Sequence, residues 1–84
     1  MIDSFIVLAG SISSLTTDGN LVRFNLRTLD GVFSVRVNLK QTRLIGEPLC
    51  RAAEVWVIGR PKAYYHRQRR TNLVYVEALL CWPA

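Results

Sequence analysis

Apolar and polar residues alternate with a period of two over most of the chain, the spacing of strands that bury one face and solvate the other. The run Leu21-Val22-Arg23-Phe24-Asn25-Leu26-Arg27-Thr28 shows it most cleanly. Val22, Phe24 and Leu26 fall on one side, with Arg23, Asn25 and Arg27 on the other. Five such segments are predicted as strands: Ser4 to Ser13, Leu21 to Thr28, Val32 to Lys40, Glu54 to about Lys62, and about Leu73 to Cys81. In the third, Phe33, Val35, Val37 and Leu39 point inward against Ser34, Arg36, Asn38 and Lys40. The fourth turns Val55 and Val57 inward and Trp56, Ile58, Arg60 and Lys62 outward. In the fifth, Val74, Val76 and Ala78 are inward and Leu73, Tyr75, Glu77 and Leu79 outward.

The connections fix an order of folding back. Gly10, in mid-strand, predicts a bulge or sharp bend. Asp18-Gly19 and Asp30-Gly31 are tight-hairpin signals, so the first three strands form a meander. From Gln41 to Ala53 the alternation is lost. The Gly46-Glu47-Pro48 break limits any helix there to a turn or two over Pro48 to Ala53, with Pro48 at its start. Long strands plus one short helical insertion between strands three and four predict an all-β domain, a five-stranded Greek-key barrel of the oligonucleotide and oligosaccharide binding (OB-fold) type. An SH3-like barrel is the competing architecture, with shorter strands and no helix at that place. With 84 residues, the chain reads as one domain, 1–84.

Charge adds a partner to this picture. Eleven Lys and Arg against six Asp and Glu leave a formal net charge of +5, which favours a polyanion. Arg23, Arg27, Arg36, Arg60 and Lys62 lie on the outward side of strands two to four with scarcely an acid among them. Asp18, Asp30 and Glu47 sit in turns or the insertion, and Asp3, Glu54 and Glu77 at strand ends or on the last strand. Beyond the fourth strand, Tyr64-Tyr65-His66 leads into Arg67, Arg69 and Arg70, a basic loop able to act as a flap over the face. Trp56, Tyr64 and Tyr75 are the candidate stacking rings, since aromatic side chains accept any unpaired base. Tyr64 shares the parity of Trp56, Arg60 and Lys62, whereas Tyr65 faces the other way. Against this stands the plainer reading that outward cations merely solvate the sheet and Trp56 packs beneath the insertion. The coincidence of cations on three adjacent strands favours binding.

Several functions are excluded by what is missing. His66 is the single histidine, set among arginines with no anionic partner to orient it as a base. No Ser or Cys triad, carboxylate pair or glycine-rich phosphate loop is present, so no enzyme and no cofactor are expected. Cys50 and Cys81 lack the His and Cys company of a metal set and read as buried, reduced thiols, with a bridge between them as the alternative. With no secretory leader and no membrane span, the expected location is cytoplasmic.

The sequence also carries a family likeness. Val55-Trp56-Val57-Ile58-Gly59-Arg60, then a basic loop from Tyr64 to Asn72, then Val74-Tyr75-Val76-Glu77, resembles the closing hairpin of bacterial single-stranded-DNA-binding proteins and their primosomal relatives. Leu21 to Thr28 and Phe33 to Leu39 are similar to that family's second and third strands. The resemblance spans nearly the whole chain through aliphatic patterns of low specificity. Two departures stand out: the chain closes on Trp82-Pro83-Ala84 without an acidic tail, and its insertion is shorter. Both match the compact primosomal type. The likeness implies non-enzymatic binding of single-stranded DNA, in preference to RNA, in DNA replication or repair, by a homodimer with replication proteins as partners. A protein-docking module with Ile58, Leu73 and Leu79 on its contact surface is the alternative.

Overall fold

The computed structural model describes residues 4–84, so the expectation for Asp3 lies outside the described residues. The chain runs β1 (Ile6–Asp18), β2 (Leu21–Thr28), β3 (Gly31–Asn38), β4 (Arg43–Leu44), β5 (Glu54–His66) and β6 (Thr71–Pro83). Among the described residues there is no helix. All six strands belong to one sheet, ordered β3-β2-β1-β5-β6-β4, and β3 also pairs with β6. The hydrogen bonding of the five longer strands is therefore ring-like. All neighbours are antiparallel except β3–β6 and β4–β6.

Both predicted hairpins form on their glycines. Gly19 takes φ +59 between β1 and β2, and Gly31 takes φ +130 after the Leu29-Asp30 turn, a region open to glycine at little cost. Thr28 Oγ1 secures the second turn, accepting from the Asp30 N–H at 3.1 Å and reaching the Gly31 carbonyl at 3.0 Å.

Gly10 has a different role from the one its position suggests. β1 pairs with β5 through its first half and with β2 through its second, and Gly10 lies where the two ladders meet. A Cβ there would collide with the backbone carbonyl of Arg27. The bulge itself falls at Ser14, φ +53, where three steps along β1 (Ser13 to Thr16) match two along β2 (Asn25 to Arg23). Gly10 permits close approach of strands, not irregular pairing.

The helical insertion predicted for Pro48 to Ala53 is absent because its backbone groups bond elsewhere. The Ala52 N–H donates to the Ile12 carbonyl and the Ile12 N–H to the Ala53 carbonyl, each at 2.9 Å, while Ala52 takes φ +65. Upstream, the chain turns about Asn38, whose carbonyl accepts from the Gln41 and Thr42 amides at 2.9 and 2.7 Å. The buried Thr42 hydroxyl donates to the Ala78 carbonyl at 2.7 Å and accepts from the Asn38 N–H at 3.2 Å. Pinned there, the segment follows β6 as the two-residue strand β4, a sixth strand that the lost alternation concealed.

The core gathers Leu8, Ile12, Val22, Phe24, Leu26, Val35, Val37, Val55, Val57, Val76, Ala78 and Cys81. Fully burying side chains such as Phe24 or Leu26 contributes about 1.5–3 kcal/mol each. Two expected members are outside it. Val74 is 63% exposed, on the stretch of β6 that extends past the ring, and Leu39 is 43% exposed in the turn beyond β3. Cys81 is buried, but Cys50 is exposed, and both are free thiols.

Candidate nucleic-acid interface

Register brings part of the predicted cationic surface together. Arg23 on β2 stands directly opposite Arg36 on β3, and across the parallel seam Arg36 faces Glu77 on β6. Glu77 in turn faces Arg60 on β5, and Lys62 faces Tyr75. Like charges opposed in a sheet repel, so the Arg23–Arg36 pair is a liability in the free protein that an anion would relieve. Neither arginine makes an ion pair among the described residues.

Arg36 is held by aromatics instead. Its guanidinium carbon lies 4.0 Å from the Tyr75 ring centroid and 5.4 Å from that of Tyr64. The two rings are 6.0 Å apart and inclined at 56°. The ladder explains the contact: Lys62 faces Tyr75 and Tyr64 faces Leu73, so the two tyrosines are diagonal neighbours on one face. A recess of about 160 Å³ adjoins them, lined by Leu21, Arg36, Asn38, Gln41, Tyr75 and Glu77. Tyr64, 39% exposed, is therefore the tyrosine that joins the cationic face; Tyr65, 61% exposed, has no ring contact.

Arg67, Arg69 and Arg70 stand apart on a projecting ribbon. The open loop expected from Tyr64 to Asn72 is paired strand: Ala63, Tyr64, Tyr65 and His66 face Val74, Leu73, Asn72 and Thr71. The turn holds residues 67–70 alone. His66 Nδ1 accepts the Arg69 N–H at 3.2 Å, which makes that nitrogen an acceptor, and Arg70 takes φ +49.

Two predicted residues are placed elsewhere. Trp56 lies eight residues from Tyr64 along β5, about 26 Å in an extended strand. It stacks on Trp82 with centroids 6.2 Å apart and planes within 12°. Together with Ala9 these rings form one outward row, and Val7, Ile58 and Leu80 form the next. Trp56 thus belongs to an apolar surface, bordered by Phe5, over which the Arg60 guanidinium sits at 5.3 Å. Trp82 and Leu80 were hidden from a strict alternation by an extra residue at Leu79, which shifts the register between Ile58 and Gly59 and exchanges the faces beyond it. The adjacent Leu79-Leu80 was the available signal. Arg27 is four residues from Arg23 on the same strand face, beside Ser11 of β1, at the end away from the tyrosines.

Among the described residues no cluster of His, Cys, Asp and Glu could hold a metal ion, and no helix is long and apolar enough to cross a membrane. Burial pushes the Cys81 thiol from its ordinary 9.0 up to about 11.

No known family profile matches the chain, and no curated protein matches it in sequence. Solved structures do match in fold. A replication protein A heterotrimer bound to single-stranded DNA aligns with TM-score 0.71 at 15% identity, over 95% of this chain and 57% of that one, so this chain spans little more than half its length. A small single-stranded DNA-binding protein from Streptomyces coelicolor aligns at TM-score 0.61 and 16% identity, over 100% and 96%. Its counterpart from Mycoplasma pneumoniae gives TM-score 0.57 at 11% identity, over 93% and 89%. The fold is an OB-fold. In this OB-fold the Arg23, Arg36, Tyr64 and Tyr75 cluster lies on the outer surface of β2, β3, β5 and β6.

Proposed function

We propose that the chain binds single-stranded DNA, in preference to RNA, as a non-enzymatic component of replication or repair in the cytoplasm. Residues 1–84 act as one domain, and the ring of five long strands serves as a Greek-key barrel presenting the outer face of β2, β3 and β6. The observation that carries this reading is the Arg23–Arg36 opposition beside two tyrosines inclined to one another: phosphate relieves the repulsion, and the rings receive bases. Lys62 and Arg60 extend the face, and Arg67, Arg69 and Arg70 offer further phosphate contacts from the ribbon. That small proteins of this fold are described as single-stranded DNA-binding supports the same ligand.

Titration of labelled single-stranded DNA, single-stranded RNA and duplex across a salt series tests it. Affinity should fall with salt at a slope of about 0.7 per phosphate contact on logarithmic axes, with single-stranded DNA bound most tightly. Absence of single-strand binding at low salt refutes it.

The apolar rows of Val7, Ile58 and Leu80 and of Ala9, Trp56 and Trp82 support a second reading for that surface, namely a protein contact, which we assign to a second copy of the chain. Sedimentation of wild type and of Trp56→Glu checks it, the variant sedimenting as the smaller species. Copurification before and after nuclease treatment separates a protein contact, which survives digestion, from a nucleic-acid tether, which is lost.

A further inference from the structure

A recess of about 510 Å³ lies outside the tyrosine cluster, lined by Ser11, Ile12, Ser13, Ser14, Arg27, Arg51 and Ala52. Its volume is in the range of ligand pockets. We propose that it is a phosphate-binding site in which Arg27 and Arg51 grip one phosphate group from opposite sides of the Ile12–Ser14 strand. The inference rests on the single-strand reading for its main ligand, a backbone phosphate of a strand that has already crossed Arg23 and Arg36.

Both arginines are positioned by backbone. The Arg27 carbonyl lies over Gly10, at a separation that leaves no room for a Cβ. Arg51 sits in a turn closed by the Ala53 N–H on the Cys50 carbonyl at 3.1 Å and clamped to Ile12 by two further bonds at 2.9 Å. Neither guanidinium has a hydrogen-bond or ion-pair partner among the described residues. No acid lines the recess; Glu54, opposite Ser11 in the β1–β5 ladder, is the nearest in register. Three serines line it, and of their hydroxyls Ser13 alone is committed, weakly, to the Asn25 carbonyl at 3.4 Å. Two unpaired fork-shaped donors in a recess that serines also line suit a tetrahedral dianion or a phosphodiester. Arg27 also lies four residues along β2 from Arg23, about 13 Å on the same face, so the recess continues the cationic track.

The test compares wild type, Arg51→Ala and Arg51→Lys on oligothymidylates of increasing length. Because Arg51 is exposed and its turn is held by backbone bonds, the substitution spares the fold, and thermal unfolding checks this. Long oligonucleotides should lose about threefold to tenfold in affinity with Arg51→Ala, and the salt slope should fall by about 0.7, one phosphate. Oligonucleotides too short to reach the recess should bind all three proteins equally, and Arg51→Lys should keep the slope. Arg51→Ala indistinguishable from wild type at every length overturns the proposal and leaves single-strand binding intact. If wild type binds no oligonucleotide, the single-strand reading fails and inorganic pyrophosphate decides the recess. Saturable amide shifts at Ser14, Arg51 and Ala52 then support a site for free phosphate, and their absence overturns it.

Discussion

The contact between Arg36 and Tyr75 makes a quantitative demand on binding. Tyr75→Ala removes a ring on which a base can stack, a loss of about 1–3 kcal/mol, or roughly fivefold to 150-fold in affinity. It also removes the face that holds the Arg36 guanidinium 4.0 Å away. A cation–π contact at this partly exposed place is worth about 0.5–1 kcal/mol, so without it Arg36 is free to swing off the seam and its phosphate contact weakens. Arg36→Ala alone should cost about 1.5–3 kcal/mol through the lost charge-assisted contact. The double variant should therefore bind better than the two losses summed, by about 0.5–1 kcal/mol. The assay is fluorescence anisotropy with one labelled oligonucleotide at low salt, with thermal unfolding of each variant as control. Tyr64→Ala paired with Arg36→Ala, a contact at 5.4 Å, should couple less. Additivity of Tyr75→Ala and Arg36→Ala within about 0.3 kcal/mol refutes the idea that Tyr75 preorganises Arg36. An unchanged affinity for Tyr75→Ala refutes stacking at this face altogether.

Three further outcomes are expected. Folding holds the Cys81 thiol neutral up to about pH 11 against an ordinary 9.0, so its contribution of about 2–3 kcal/mol is fully present below pH 9 and lost as pH rises through 11. Urea unfolding across that range should show this loss in wild type and not in Cys81→Val, and a thiol reagent should label exposed Cys50 in the native protein while Cys81 reacts on unfolding. Gly10→Ala should destabilise by about 1–3 kcal/mol in a thermal melt, because the added Cβ would sit 2.7 Å from the Arg27 carbonyl carbon, and backbone yields poorly; an unchanged melting temperature refutes the close-approach argument. Replacing Arg67, Arg69 and Arg70 together with Ala should flatten the salt slope of binding and leave the melting temperature unchanged, since all three are exposed on the tip of the ribbon.

The strand faces were legible wherever two neighbouring strands cover a residue. Val22, Phe24, Leu26, Val35 and Val37 follow the alternation because β2 and β3 are enclosed by the ring on one side throughout their length. Val74 obeys the same alternation and is exposed, because periodicity records which side a residue faces and not whether another element covers that side. The predicted helix failed for a related reason. Pro48 to Ala53 carries a plausible helix start, but the Ala52 N–H and the Ala53 carbonyl are claimed by Ile12, far earlier in the chain, a contact no local pattern encodes. The candidate site was legible at Arg23, Arg36, Tyr64 and Tyr75, which share parity near the seam. Trp56 shares the parity too, and distance along β5 removes it. Arg51 was missed because it lies in the segment without periodicity, where charge has no face to be assigned to.

The seam between β3 and β6 consists of two residue pairs, Val35 with Val76 and Arg36 with Glu77, whereas β2 and β3 share eight. The shortest ladder is where a closed ring parts most cheaply, so local opening should begin there and expose the Val35 and Val76 amides to exchange before those of β2. Arg36 belongs to one lip of this gap and Tyr75 adjoins the other. A ligand gripped by both spans the gap like a suture, and the work of prising the lips apart then includes the work of releasing the ligand. Occupancy and closure of the ring become one equilibrium, readable as slowed exchange at a valine pair that no ligand touches.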